Sequence, residues 1–256
     1  SSCSLDLSFG SFLTFDKGMV KSINVAGKEE QLPPECALYE DAFSTAGEVM
    51  KHSLDILNSP DFDSKASWKL DCQNDHVTVH YKDLPDGRYF AGRCKVSISA
   101  KDLVYHFWDH LDTDHEWNDN IKFAKKLHKI TDHTDIVTYC SNDVLIIKSR
   151  DFVTSRCIRQ SNNAWILAGR SIEMKEVPET KTAVRAYLHL GLGRSIPDPE
   201  DPEHSCIYDY VVCMDLKGMM FKSAVNQVLG RATLKDIENV RVHCNTVLRK
   251  QLYPNL

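Results

Sequence analysis

Between Trp68 and Met214 the chain repeats one kind of segment, a short run rich in apolar and β-branched residues bounded by turn chemistry. The runs are Trp68–Gln73, His76–Tyr81, Tyr89–Ile98, Ile121–Ile130, Asp135–Ser141, Asp151–Gln160, Ala164–Ile172, Thr182–His189 and Cys206–Met214. Asn74-Asp75 predicts a tight hairpin between the first two, and Pro85-Asp86-Gly87 a turn before the third. Strands that succeed one another without alternating crossover helices predict an antiparallel sheet. Helical spacing appears only where the strands stop. Leu38, Ala42, Phe43, Ala46, Val49, Met50, Leu54 and Leu57 recur with a helical period until Asn58-Ser59-Pro60 ends it. Ser99 is placed to cap a helix over Ala100–Leu111. Leu216–Leu252 reads as a long helix with Met220, Ala224, Val225, Val228 and Leu229 on one stripe, interrupted at Gly230 and weakened by the charges of Asp236–Glu238. Nine strands and one long terminal helix predict an α+β fold, a curved antiparallel sheet gripping that helix and enclosing a cavity.

Composition narrows the function classes. The chain is 42% hydrophobic and 26% charged, which suits a globular domain rather than a disordered one. A net charge of −5 argues against general nucleic-acid binding, which needs a clustered basic surface. No run of 18 apolar residues is present to span a bilayer. The nine cysteines are scattered without a C-x-x-C pair, so buried free thiols in a reducing compartment are the expectation. Residues 1–33 show no sustained period and end in Pro33-Pro34, and the chain starts at Ser1 rather than Met. They are expected to form an arm or linker ahead of a domain over 34–256.

Few residues offer reaction chemistry. His106 and His110 stand at the i, i+4 spacing at which two imidazoles share a metal, but no H-E-x-x-H pattern accompanies them. Gly191-Leu192-Gly193 lacks the third glycine of a dinucleotide turn, and no G-x-S-x-G elbow exists. Cys140 or Cys157 has no histidine that sequence alone pairs with it. The most informative stretch is Ser149–Arg156. On a strand, Phe152, Thr154 and Arg156 share one face, with Val153 and Ser155 on the other. A guanidinium facing the interior keeps its charge and needs a carboxylate or a ligand oxygen. A surface arginine with ordinary pairing is the alternative reading of the same spacing.

The run Arg150–Arg156 (RDFVTSR), with Trp117-Asn118 upstream and Leu167-Ala168-Gly169 downstream, resembles the START lipid-transfer domain family. So do Val177-Pro178-Glu179, Ala183-Val184-Arg185-Ala186, and Asp215-Leu216-Lys217-Gly218 leading to Asn226-Gln227-Val228-Leu229. The similar branch is the one holding the cholesterol-binding steroidogenic acute regulatory proteins and a carotenoid-binding member. The resemblance implies a helix-grip fold, with a nine-stranded antiparallel sheet around the C-terminal helix and a hydrophobic tunnel for one lipid. It implies that Arg156 lies at the polar end of the tunnel beside an acidic residue, that Trp117, Asn118 and Leu167 line the pocket, and that the Asp143–Ser149 loop forms the mouth. The helix Met219–Leu229, with Phe221, Val225 and Leu229, would lid it.

Three departures bear on the ligand. The acidic partner aligns with about Cys140, leaving Asp143 as the nearest carboxylate. The mouth loop is apolar through Val144, Leu145, Ile146 and Ile147, and Phe221 stands where a proline is expected. The implied function is non-enzymatic lipid binding and transfer, with a sterol such as cholesterol as first choice and a carotenoid as the alternative. Phospholipid transfer, a lipid-sensing module and a catalytic relative are the further alternatives. No cofactor beyond the bound lipid is implied. The implied partners are the lipid and, transiently, a membrane surface; the expectation is a monomer in the cytoplasm or on the periphery of an organelle membrane.

Overall fold

Turn chemistry starts most of the hairpins from which the sheet is built. The computed structural model of the protein describes residues 21–144 and 147–256. Strands β1 (Ser22–Val25) and β2 (Lys28–Gln31) form a separate hairpin, turned by Ala26 and Gly27 in the left-handed region. Helix α1 spans Glu40–Leu57. Strands β3 (Lys69–Gln73), β4 (Thr78–Leu84) and β5 (Gly87–Val96) follow. The Asn74 side chain sets the first of their turns by accepting from the His76 and Val77 amides. Helix α2 (Ala100–Asp109) starts at Ser99, whose hydroxyl accepts from the Asp102 amide, and α3 (Asp114–Trp117) is a single turn. Then come β6 (Ile121–Thr131), β7 (Thr134–Ser141), β8 (Arg150–Ser161), β9 (Ala164–Ser171), β10 (Val184–Arg185), β11 (Tyr187–Pro197) and β12 (Cys206–Asp215). Helix α4 (Lys222–His243) passes through a π-helical turn at Cys244–Leu248 into α5 (Arg249–Leu252).

The strand order is β3-β4-β5-β12-β11-β9-β8-β7-β6, antiparallel at every step, as the succession of runs predicts. The two-residue β10 adds a tenth strand, parallel to β8. Both faces are covered, which is why β8 is buried almost throughout. Its Val153 and Ser155 point to α1, where Val153 packs near Ala42 and Phe43 and Ser155 Oγ donates to the Ala42 carbonyl. Arg150, Phe152, Thr154 and Arg156 face the other way, toward the concavity filled by α4. There Ile237 and Val240 of α4, and Cys244 just after it, pack with Val77, Val79, Phe90, Cys94 and Val212.

Several boundaries differ from the sequence reading. The long helix starts at Lys222 rather than Leu216, because Asp215-Leu216-Lys217-Gly218 is a turn with Lys217 and Gly218 at positive φ and Asp215 Oδ1 capping the Lys217 amide. Local turn chemistry there outweighs the apolar spacing of Leu216, Met219 and Met220. The run read as Thr182–His189 divides into β10 and a longer β11 that carries Gly191 and Gly193 in its middle. Gly230 does not interrupt α4. A Cβ there would collide with the Asp71 carboxylate, and one at Gly92 with Ile237, so these glycines let the helix lie against β3–β5. Within the expected arm, Ile23 and Val25 are buried on the α1 side; residues 1–20 lie outside the described residues, as do Leu145 and Ile146. The eight described cysteines are free. Among the described residues no helix is long and apolar enough to cross a membrane.

Candidate functional site

Because α4 rests on β3–β5 at one edge and the sheet curves away from it, space remains between the helix and strands β6–β9, β11 and β12. It forms two adjoining chambers that share part of their wall. The volume open to the centres of water-sized spheres is about 140 Å³ in the outer and 190 Å³ in the inner one, many times what a single water needs. The outer chamber is lined by Ile147, Arg150, Phe152, Met214, Leu216, Val228 and Leu229, and the inner by Phe107, Asp114, Trp117, Asn118, Arg156, Leu167 and Tyr208, among others. Ile121, Tyr139, Tyr210 and Asp236 belong to both and mark the waist between them.

The inner chamber ends in a buried ion pair. Arg156 Nε and Nη2 donate to the two Asp135 carboxylate oxygens at 2.9 and 2.7 Å. Nη1 and Nη2 also donate to the Phe107 and Trp108 carbonyls at 3.0 and 3.2 Å, the open carbonyls at the end of α2. The guanidinium lies over the Trp108 ring. Four of its five N–H groups are therefore satisfied by protein, leaving one on Nη1. The expected acidic partner is corrected here: it is Asp135, not the Cys140 position and not Asp143. Asp135 sits directly opposite Arg156 in the β7–β8 register and shares a strand face with Tyr139. Cys140, one residue off that period, is buried on the far face of the sheet with its thiol raised by burial. Asp143 stands at the mouth, where it accepts from the Ser149 amide and hydroxyl and pairs with Lys148 at 3.1 Å. These hydrogen bonds, that from Lys148 first, hold its carboxyl below the usual range.

Two further carboxyls converge on the chambers. Burial, reinforced by nearby Asp236 and opposed by Arg156, pushes the Asp114 carboxyl up to about 8, and its Oδ1 is buried with no partner among the described residues. Asp236 is raised by burial and accepts from Asn118 Nδ2 at 2.6 Å. Asn118 is oriented by its own oxygen, which accepts from the Asn120 amide and from Asn239 Nδ2. Burial also raises the phenols of Tyr139, Tyr208 and Tyr210, and no described residue hydrogen-bonds their hydroxyls.

Of the residues singled out from sequence, Arg156, Asn118, Trp117 and Leu167 meet in the inner chamber and Leu229 lines the outer. Val225 packs beside Ile147, Leu216 and Val228 at the mouth. Phe221 does not line either chamber; it precedes α4 with 85% of its surface exposed, next to a fully exposed Met219. Leu145 and Ile146 lie outside the described residues. Asp114, Asp135, Asp236, Tyr139 and Tyr210 were missed. For Asp236 a signal existed, since it stands seven residues after Leu229 on the same helical stripe.

The other candidates resolve into structure. The His106 and His110 rings are 5.7 Å apart, and burial, then His243 and His110, push His106 down to about 4. Trp117 stacks on His243 at 4.5 Å. Among the described residues no group of three or more His, Cys, Asp or Glu side chains is placed to hold a metal ion. Burial raises the Cys157 thiol to about 12, so it holds almost no thiolate at neutral pH.

An antiparallel sheet gripping a long helix over a largely apolar cavity defines the helix-grip class of folds. The chain belongs to the START domain family, whose model matches residues 48–249. It is 36% identical over 215 residues to the steroidogenic acute regulatory-like protein 1 of Caenorhabditis elegans, covering 83% of each chain. The human mitochondrial steroidogenic acute regulatory protein is 28% identical over 215 residues, which cover 81% of this chain and 73% of that one. Among solved structures, human StAR-related lipid transfer protein 5 matches with a TM-score of 0.71 at 17% identity, covering 84% of this chain and 99% of that one.

Proposed function

We propose that the protein is a non-enzymatic carrier that encloses one sterol, with its hydroxyl end at the Arg156 pole. One observation carries this reading: a chamber walled by apolar side chains ends at groups that complement a hydroxyl. The unpartnered Asp114 Oδ1 and the remaining Nη1–H of Arg156 offer an acceptor and a donor there. Trp117, Leu167 and Leu229 supply wall. Burying several hundred Å² of sterol surface gains on the order of 10 kcal/mol at ~25 cal/mol per Å², before association costs. Affinity thus comes from area and orientation from the polar end. The raised thiols and the satisfied Arg156 favour a carrier over a catalyst.

Loading requires the mouth to open between the 143–149 loop and the 216–220 turn ahead of α4. Arg150 latches the two. It donates to the Lys148 carbonyl at 2.7 Å on one side and to the Leu216 and Lys217 carbonyls at 3.0 and 3.3 Å on the other. Exposed Met219 and Phe221, flanked by Lys217 and Lys222, suit brief contact with a membrane surface. We place this activity in the cytoplasm, in a monomer that does not bind nucleic acid, in keeping with the free thiols and the net negative charge. A carotenoid is the competing guest. Mass spectrometry and a visible absorbance scan of the protein purified from its native host test the reading. One sterol per chain and no colour is the expected result. A stoichiometric carotenoid would replace the sterol, and an absence of any lipid, together with no transfer of a fluorescent sterol between vesicles, would refute the carrier.

A further inference from the structure

We infer that the chamber is built for a sterol-sized lipid carrying two oxygen functions, one at its end and a second, hydroxyl or ketone, partway along its body, met by Asp236, Tyr139 and Tyr210. The inference rests on the carrier reading and names the class of its guest. A lipid with a single terminal hydroxyl needs polar wall at one end only. Here the wall shared by the two chambers, beside which a guest filling both would lie, is polar as well. Asp236, Tyr139 and Tyr210 line both chambers, so they lie beside the guest rather than at its tip.

Like the pole, where Asp114 Oδ1 and one Arg156 N–H remain open, the waist keeps hydrogen-bonding capacity for a ligand. Arg156 is largely satisfied by Asp135 and two backbone carbonyls. No described residue hydrogen-bonds the Tyr139 or Tyr210 hydroxyl. Asn118 is locked, because its oxygen already accepts twice, so its amide faces Asp236 Oδ1; the Asn120 side chain also hydrogen-bonds this carboxyl, whose remaining acceptor capacity faces the chamber. Burial favours the neutral form of Asp236, which adds a donor. Phenol and neutral carboxyl groups both donate and accept, so the same trio serves a hydroxyl or a ketone. A guest that fills the chamber displaces water from the Tyr139 and Tyr210 hydroxyls, and a second oxygen on it replaces the hydrogen bonds they would otherwise lose.

Affinities for cholesterol, 7-ketocholesterol and 20-hydroxycholesterol, measured on the wild-type protein and on Tyr210→Phe, Tyr139→Phe and Asp236→Leu, test this. The wild type is expected to bind at least one doubly oxygenated sterol about tenfold more tightly than cholesterol, as one added hydrogen bond allows. Each variant should lose that preference, read as the ratio of the two affinities within the same protein, whatever its affinity for cholesterol. The two tyrosine variants keep the side-chain shape, so the test survives if Asp236→Leu fails to fold. Equal wild-type affinity for all three sterols, or a preference unchanged in the variants, overturns the second oxygen and leaves the carrier standing. Failure of every sterol to bind overturns both.

Discussion

Replacing Asp114 by Asn should stabilise the protein, and more so as pH rises. In the folded state burial pushes this carboxyl from 3.8 up to about 8. A group whose folded pKa is raised favours folding fully below its unfolded pKa, and that contribution is lost as pH climbs through the folded value. The window is therefore about pH 4 to 8. Four units at 1.36 kcal/mol each set a ceiling of about 5 kcal/mol, and relaxation around the charge reduces it to roughly 2 kcal/mol. Asn keeps the shape and removes the titration. Asp236, which also titrates high, remains in both proteins, and because its charge adds to the Asp114 shift the difference between them reports Asp114 together with that coupling. Urea unfolding at intervals from pH 4.5 to 8 measures it. The two proteins should coincide near pH 4.5 and diverge to about 2 kcal/mol at pH 8, or about 4–8 °C in Tm for a chain of this size. Parallel curves over the whole range, or a variant less stable at pH 8, would refute the burial argument.

Asp135→Ala leaves the Arg156 guanidinium buried without its carboxylate and should cost about 3–5 kcal/mol in chemical denaturation. Adding Arg156→Met should recover part of that loss, and a further loss instead would show that the pair is not the unit. Arg150→Met removes the latch across the mouth. Release of a fluorescent sterol should accelerate severalfold in stopped flow, by the loss of about 1 kcal/mol of hydrogen bonding, and an unchanged rate would place the gate elsewhere. Met219→Asp with Phe221→Asp should slow vesicle-to-vesicle transfer while leaving the unfolding midpoint within about 0.5 kcal/mol, since both side chains are exposed. Equal transfer would separate the mouth from membrane contact.

Much of the fold was legible because it is local. Periods of two and of 3.6 residues assign faces, and turn residues such as Asn74 mark where one strand ends and the next begins. Where local chemistry had two voices the reading slipped. Apolar spacing at Leu216–Met220 imitated a helix that the Asp215 turn forbids, and Gly191 hid the middle of β11. Alternation along one strand puts Arg156 on the same face as Phe152 and Thr154, and the structure turns that face toward the chambers.

By itself the sequence determined most of the order of helices and strands, the antiparallel sheet and the sharing of one strand face by Phe152, Thr154 and Arg156. Each of these depends on residues near one another along the chain. Which face turns inward was left to the tertiary structure. Tertiary structure alone decided that Asp135 answers Arg156, because that pairing is a matter of strand register and a shift of one residue would have offered a different side chain. It also brought Asp114, Tyr139, Tyr210 and Asp236 around one cavity from a short helix, two strands and the terminal helix. A carboxyl's charge state depends on how much water surrounds it, and that was fixed only when α4 closed over the sheet and made the chamber.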